Sequence, residues 1–190
     1  MTDRALMAIV GARLRAERRT IVYACAAALL VGALHPIGLA GPLFFCSLLG
    51  IVTALVQSPG RHPHLDLCEE SAPLFGRELA RAKAVTPAIV AALATIAYCA
   101  TAAIYDYSGA ARDFVFALPA VEASTLTALC ATIRIGSSRL LYVAMACAIA
   151  AVAYALAQRA AIAEPIFCAL VAFFALRQYG EALARYDPVS

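Results

Sequence analysis

The chain has 190 residues, of which 64% are hydrophobic and 14% are charged, and its formal net charge at pH 7 is +3. A soluble domain has about 45–50% apolar and about 25% charged residues, so this composition excludes a soluble globular protein and predicts an integral membrane protein. The positive charges are scattered between long apolar runs, which excludes the continuous basic surface of a nucleic-acid-binding protein.

The N-terminal residues 1–19 predict an amphipathic helix that lies on the membrane surface. Apolar residues recur there near helical spacing, and arginines occupy the other side and the last turn. The apolar positions are Leu6, Met7, Ile9, Val10 and Leu14. Such a helix is held by burial of its apolar face and by attraction to anionic lipid. The alternative is a short solvated segment that leads into the first membrane span.

Six apolar segments follow, each separated from the next by a polar, glycine-containing or proline-containing stretch. Their predicted limits are residues 21–34, 39–57, 85–104, 114–133, 140–157 and 165–176. The fold is therefore predicted to be all-α: one polytopic transmembrane domain over residues 1–190, with six transmembrane helices. The tail, residues 177–190, is predicted to continue the last helix into water and to stop before Pro188.

The basic residues divide unequally between the two sides of this six-span arrangement. One set of segments consists of both termini, the long loop 58–84 and the turn 134–139, and it contains 13 of the 15 Lys and Arg residues. The three remaining turns contain only Arg112 and Arg159. Because basic residues concentrate on the cytoplasmic side, both termini and the long loop are predicted to be cytoplasmic, in a bacterial inner membrane.

The loop 58–84 is the longest charged segment between the termini. Residues 69–84 have the pattern of a short helix, with Leu74, Leu79 and the Lys83 stem along one side and charges around the rest. Pro73 suits the first turn of that helix, where the missing amide hydrogen is not needed.

The sequence contains no recognisable catalytic or cofactor motif. We find no HExxH, no CxxC, no nucleophile-elbow motif and no GxxxxGK phosphate loop. His62 and His64 flank a proline without a partner cysteine or carboxylate cluster, which does not amount to a metal site. We therefore expect no enzyme activity, no metal and no cofactor, and a membrane enzyme acting on lipid is the least favoured alternative.

One carboxylate lies inside a predicted span. Glu122 is eight residues into the fourth span, roughly 12 Å deep at 1.5 Å per residue, and Ser124 and Thr125 follow it. An ionisable group at this depth usually faces a bundle interior or a wet cavity. Two interpretations stay open: a substrate-facing translocation path, or a protonated or hydrogen-bonded group that joins packed helices.

The layout resembles the membrane subunits of ATP-binding-cassette exporters of the type-2 permease class. The resemblance rests on the basic N-terminal helix, six spans, and a charged loop between spans two and three. The stretches LHPIGLAGPL at 34–43, and EES followed by RELARAK before span three, look similar to smaller permeases, including those of cytochrome c biogenesis exporters. One departure is the link between spans five and six, about residues 157–165, which is too short for the usual outer half-helices.

The resemblance implies a division of labour between subunits. This chain would form half of a homodimeric or heterodimeric path and would bind a separate ATPase subunit through a coupling helix in the cytoplasmic loop. The residues that the resemblance assigns to coupling are Glu69, Glu70, Arg77, Glu78, Arg81 and Lys83. The alternatives are that this segment is a solvated connection, and that the chain is an accessory helical subunit of a larger membrane complex.

Overall fold

The computed structural model describes residues 2–34, 38–56, 76–105, 108–134 and 137–185. The helices are α1 (Thr2–Ala16), α2 (Arg18–Leu34), α3 (Ala40–Val56), α4 (Gly76–Ile104), α5 (Ala110–Leu129), α6 (Ser137–Arg159) and α7 (Ala163–Arg185). A 3-10 turn, Cys130–Ile133, extends α5. The described residues contain no strand, so the predicted all-α class is confirmed.

Four helices are long and apolar enough to cross a membrane. These stretches are Glu78–Ile104, Ala110–Ile133, Ser137–Arg159 and Ala163–Leu183, and Ala40–Val56 is a shorter apolar helix. Since a span needs about 20 apolar residues, α4 to α7 support an integral membrane protein. Six spans, and the side on which the termini lie, stay predictions.

The fourth helix begins earlier than the sequence pattern predicts. The third span was expected to start at residue 85, after a separate short helix, but α4 is continuous from Gly76 to Ile104 and contains Pro87. Ala80, Ala82 and Ala84 are buried, so the charged residues near this end alternate with small residues that pack. Residues 76–84 are therefore the first turns of the spanning helix, and they do not form a helix of their own.

The N-terminal helix packs against α4, and two of its charged residues are buried. The backbone hydrogen bond from the Ile21 amide to the Glu17 carbonyl, 3.0 Å, carries the helical pattern from α1 into α2. Val10, Arg13 and Glu17 are buried while Met7 is exposed, and α1 packs against α4. The predicted interfacial helix is not confirmed.

Helix α5 lies at the centre of the bundle and packs against α3, α4, α6 and α7. At one end, here called the Tyr179 end, Ile51 of α3, Ala80 of α4 and Leu126 of α5 share a cluster with Tyr179 of α7. The opposite end, here called the Leu39 end, joins the start of α3 to the first half of α5 and to Cys168 of α7. The members of that cluster are Leu39, Leu43, Ala117, Ala120, Ala123, Ile149, Ala150, Ala153, Ala157 and Cys168.

These two clusters fix the directions of the helices. The beginnings of α3 and α7 lie at the Leu39 end and their later turns lie at the Tyr179 end, so the two helices run parallel with α5. Helix α4 begins at the Tyr179 end and runs the other way. Helix α6 also runs against α5, with Ala146 in the first cluster and Ala157 in the second. This up-and-down order is that of a helical bundle with short connections.

Two glycines allow close helix approach at the centre. A Cβ added at Gly32 of α2 would lie 2.7 Å from the carbonyl oxygen of Tyr98 in α4. A Cβ added at Gly50 of α3 would collide with the hydroxyl of Thr125 in α5. Small residues at such crossings let backbones approach closely, which is the main source of packing energy between helices in lipid.

Candidate functional site

Glu122 lies at the middle of its span. Because α5 begins at Ala110 and its apolar stretch ends at Ile133, Glu122 is about 18 Å from the first residue at 1.5 Å per residue. That is deeper than the roughly 12 Å that the sequence suggested, since α5 starts four residues before the predicted span. Glu122 is therefore near the middle of this apolar stretch, far from both of its ends.

The Glu122 side chain lies at the inner end of an open stripe on α5. The stripe follows helical spacing along Ala111, Val115, Leu118 and Glu122, of which the first two are exposed and the last two half-buried. Beyond Glu122, residues 123–131 are all buried. The stripe, here called the Glu122 stripe, thus leads from the Leu39 end to mid-span along the surface of the single chain.

Ser124 and Thr125 are placed differently from Glu122. Both are fully buried between helices. The Thr125 hydroxyl donates a 2.7 Å hydrogen bond to the carbonyl of Val121 in its own helix, and the Ser124 hydroxyl has no partner among the described residues. The structure therefore does not bring the three predicted residues together on one accessible surface, and within one chain Ser124 and Thr125 act as packing residues.

The predicted coupling residues are described only in part. Glu69 and Glu70 lie outside the described residues, and Arg77 is in α4 but its side chain is not described. Glu78 and Lys83 are half-buried, and Arg81 is exposed. Their helix is fixed to the core, because the neighbouring Ala80 and Ala84 pack in the cluster at the Tyr179 end.

The structure also buries acidic groups that the sequence pattern does not single out. Glu164, in the first turn of α7, is fully buried. Its Oε1 accepts a 3.0 Å hydrogen bond from the Cys168 thiol, and its Oε2 has no partner among the described residues. The sequence assigned Glu164 to a turn, although the spacing of four residues to Cys168 would have placed both on one helical face.

A second missed group joins α1 and α2. The Thr20 hydroxyl donates a 2.6 Å hydrogen bond to a carboxylate oxygen of the buried Glu17. Asp113, in the first turn of α5, is buried as well. The sequence does not distinguish these buried carboxylates from solvent-exposed ones, because their burial depends on which helices pack beside them.

The donors needed for metal binding are not assembled in the part of the chain that the structure describes. No group of three His, Cys, Asp or Glu side chains could hold a metal ion there. The expectation of no metal and no cofactor therefore stays a prediction for the whole chain.

Comparison of this chain with protein-family models, with curated proteins and with solved structures gives no match.

Proposed function

We propose that this chain is the permease subunit of an ATP-binding-cassette exporter, forming half of a dimeric translocation path and coupling to a separate ATPase subunit. The observation that carries the proposal is the half-buried Glu122 carboxylate at mid-span on an open stripe. An acidic or basic side chain at the centre of a lipid-facing helix costs about 2.5–3.5 kcal/mol or more. The Glu122 stripe is therefore covered by something other than lipid.

A second permease subunit, either another copy of this chain or a related one, would cover the stripe in the simplest way. Two stripes that face each other would leave a path that opens at the Leu39 end and narrows at Glu122, where the following residues are all buried. Carboxylates that face such a path are the usual exception to the exclusion of charge from membranes.

The start of α4 supports the coupling part of the proposal. Its charged residues belong to a helix that continues without interruption across the bundle. Ala80 and Ala84 pack against residues of α5 and α7, so a force on the first turns of α4 is passed directly to the core. An ATPase subunit that moves the preceding loop would thereby move the central helices.

A second candidate function is that of an accessory helical subunit in a larger membrane complex. The burial of Ser124 and Thr125 favours it, because hydroxyls that lie between helices serve helix packing and do not line a path. In this case the Glu122 stripe would seat on a helix of a different protein and no path would exist.

Charge reversal at the coupling segment tests the first candidate. The chain is coexpressed with candidate ATPase subunits and purified in mild detergent, as wild type and as Arg77→Glu or Glu70→Lys. We expect ATPase recovery to fall about tenfold, because like charges brought together at an interface cost several kcal/mol. The matched control is Arg159→Glu, which lies at the far end of α6 and is expected to change nothing. A bound ATPase that tolerates both reversals contradicts the coupling assignment.

Glu122→Gln separates the two candidates. The amide keeps the size of the carboxylate and removes its charge, and it replaces one acceptor oxygen by an NH2 donor. In a translocation path, this variant should keep the ATPase complex and lose substrate-linked stimulation of ATP hydrolysis in proteoliposomes. In an accessory subunit, Glu122→Gln should leave the complex intact, and the partner recovered should not be an ATPase.

A further inference from the structure

A cavity of about 460 Å³ lies between α4 and α7 near the Tyr179 end. It is distinct from the Glu122 stripe, which approaches mid-span from the opposite end. Among the described residues, those that line the cavity are Ala80, Arg81, Phe173, Leu176, Arg177 and Gly180. Arg81 and Arg177 are the basic residues of this lining.

The charges at the cavity have a net positive balance. Arg81 is exposed. Arg177 is also largely exposed, and its Nε donates to Glu181 Oε1 at 2.9 Å in an ion pair across one helical turn. Such exposed pairs are weak, about 0.3–0.5 kcal/mol, so Glu181 reduces the attraction of Arg177 for another anion without abolishing it.

The polarity of the cavity changes along the membrane normal. On α7, Phe173 and Leu176 come before Arg177 and Gly180, so they lie nearer mid-span, and Phe173 is 61% exposed. On α4, Arg81 is in the first turns of the apolar stretch that starts at Glu78. Arg81 is therefore near one end of the apolar stretch of α4, and Arg177 is six residues before the end of the α7 stretch at Leu183, with Phe173 and Leu176 farther inward.

We propose that this cavity binds an anionic phospholipid of the membrane leaflet at the Tyr179 end. Arg81 and Arg177 contact the phosphate of the headgroup, and an acyl chain lies along Phe173 and Leu176. Basic pockets between transmembrane helices on the cytoplasmic side are known to take anionic headgroups. The apolar wall favours a lipid over a soluble acidic peptide, since a peptide leaves that wall uncovered. The inference requires that α4 and α7 span the membrane, and it does not depend on the proposed transport function.

Lipid retention by the purified full-length chain tests the proposal. The protein in mild detergent is titrated with phosphatidylglycerol or phosphatidylcholine of identical acyl chains, and bound lipid is counted by native mass spectrometry. We expect preferential retention of phosphatidylglycerol. The double variant Arg81→Gln, Arg177→Gln should weaken it roughly tenfold, because each basic residue near an anionic headgroup contributes about a factor of five and Glu181 offsets part of Arg177.

Two further variants distinguish phospholipid binding in the cavity from general attraction to the positively charged surface. Arg139→Gln removes an exposed arginine at the start of α6, on the same predicted side but outside the cavity, and should leave retention unchanged. Glu181→Gln frees Arg177 from its ion pair and should tighten phosphatidylglycerol binding about twofold, in line with the weakness of such pairs. Both variants change exposed or half-buried side chains, so they are suitable controls for folding.

Four outcomes would overturn the proposal. Equal retention of the two phospholipids would remove the headgroup preference. An equal loss of phosphatidylglycerol retention in Arg139→Gln and in the double variant would mean that retention reflects general surface charge and not the cavity. Competition by inorganic phosphate at the concentration of the lipid would identify a free anion as the ligand, and equal competition by a soluble acidic peptide would assign the cavity to a protein partner.

Discussion

The central helices α4 and α5 differ from the flanking helices α6 and α7 in how much of each lies inside the bundle. In α4 and α5, 50% and 67% of an apolar 18-residue stretch is buried inside the bundle. In α6 and α7, the corresponding shares are 28% and 22%. Helix α6 is nevertheless the most hydrophobic of the four. Hydrophobicity thus shows which helices enter the membrane, while small and hydroxylated residues decide which of them pack at the centre.

The flanking pair presents large apolar side chains to its surroundings. The exposed ones on α6 and α7 are Leu140, Leu141, Met145, Val152, Ile166, Leu170, Phe173 and Phe174. In water such a surface would be an association site, but acyl chains are as apolar as leucine and cover it without a partner protein. The central pair instead gains its stability from close contact between helices. Substitutions there should therefore lower the free energy of unfolding more than substitutions on α6 and α7.

The largest effect is expected for Gly32→Ala, where α2 crosses the central pair. The new methyl group would lie 2.7 Å from the Tyr98 carbonyl oxygen and 3.3 Å from the Tyr98 Cα. These are backbone atoms that cannot rotate away, so α2 and α4 must separate. We expect a loss of about 3 kcal/mol, the upper end for overpacking, measured as the unfolding midpoint in a denaturing detergent titration.

Gly11→Ala is the matched control for this change. A Cβ at Gly11 would meet only the end of the Arg15 side chain, at 3.7 Å, which is an ordinary contact. Alanine has a higher helix propensity than glycine by about 1 kcal/mol, so the control should be neutral or more stable. Equal midpoints for both variants would show that α2 does not pack on α4 in this way.

A smaller effect is expected for Gly50→Ala, where α3 crosses α5. Its methyl group would collide with the Thr125 hydroxyl, which belongs to a side chain, and would lie 3.4 Å from the Ala91 Cβ. We expect a loss of about 1–2 kcal/mol. Because the colliding atom can be deleted, Gly50→Ala should cost about 1 kcal/mol less in a Thr125→Ala background. Strictly additive losses in this double-mutant cycle would contradict the close approach of the two helices.

The sequence predicted the flanking helices and α3 better than α4 and its contacts. Helix α6, Ser137–Arg159, and helix α3, Ala40–Val56, lie within three residues of their predicted limits, because continuous apolar runs mark them directly. The start of α4 was missed, since its buried alanines are interleaved with charged residues and only tertiary packing shows which side is inside.

The candidate site at Glu122, like the helices, was predicted only in part from the sequence. Glu122 could be found as a carboxylate inside an apolar run, but its place on an open stripe depends on where four other helices lie. The burial of Arg13 and Glu17 on α1 follows from packing against α4, and a single sequence contains no sign of that contact. The sequence therefore predicted which polar residues lie in apolar segments. Only the packing of the helices shows whether each of these residues is buried or exposed.

The smallest effect is expected on the flanking pair, at the ion pair between Arg177 and Glu181. Their side chains are 61% and 42% exposed, so water and salt screen the attraction. A double-mutant cycle with Arg177→Gln and Glu181→Gln in detergent should give a coupling energy of about 0.3–0.5 kcal/mol. That is several times less than the loss at Gly32, as expected if stability resides in the contacts of α4 and α5. A coupling above about 1.5 kcal/mol would mean that this end of α7 is desolvated, and the division into a packed centre and a lipid-facing flank would then fail at this position.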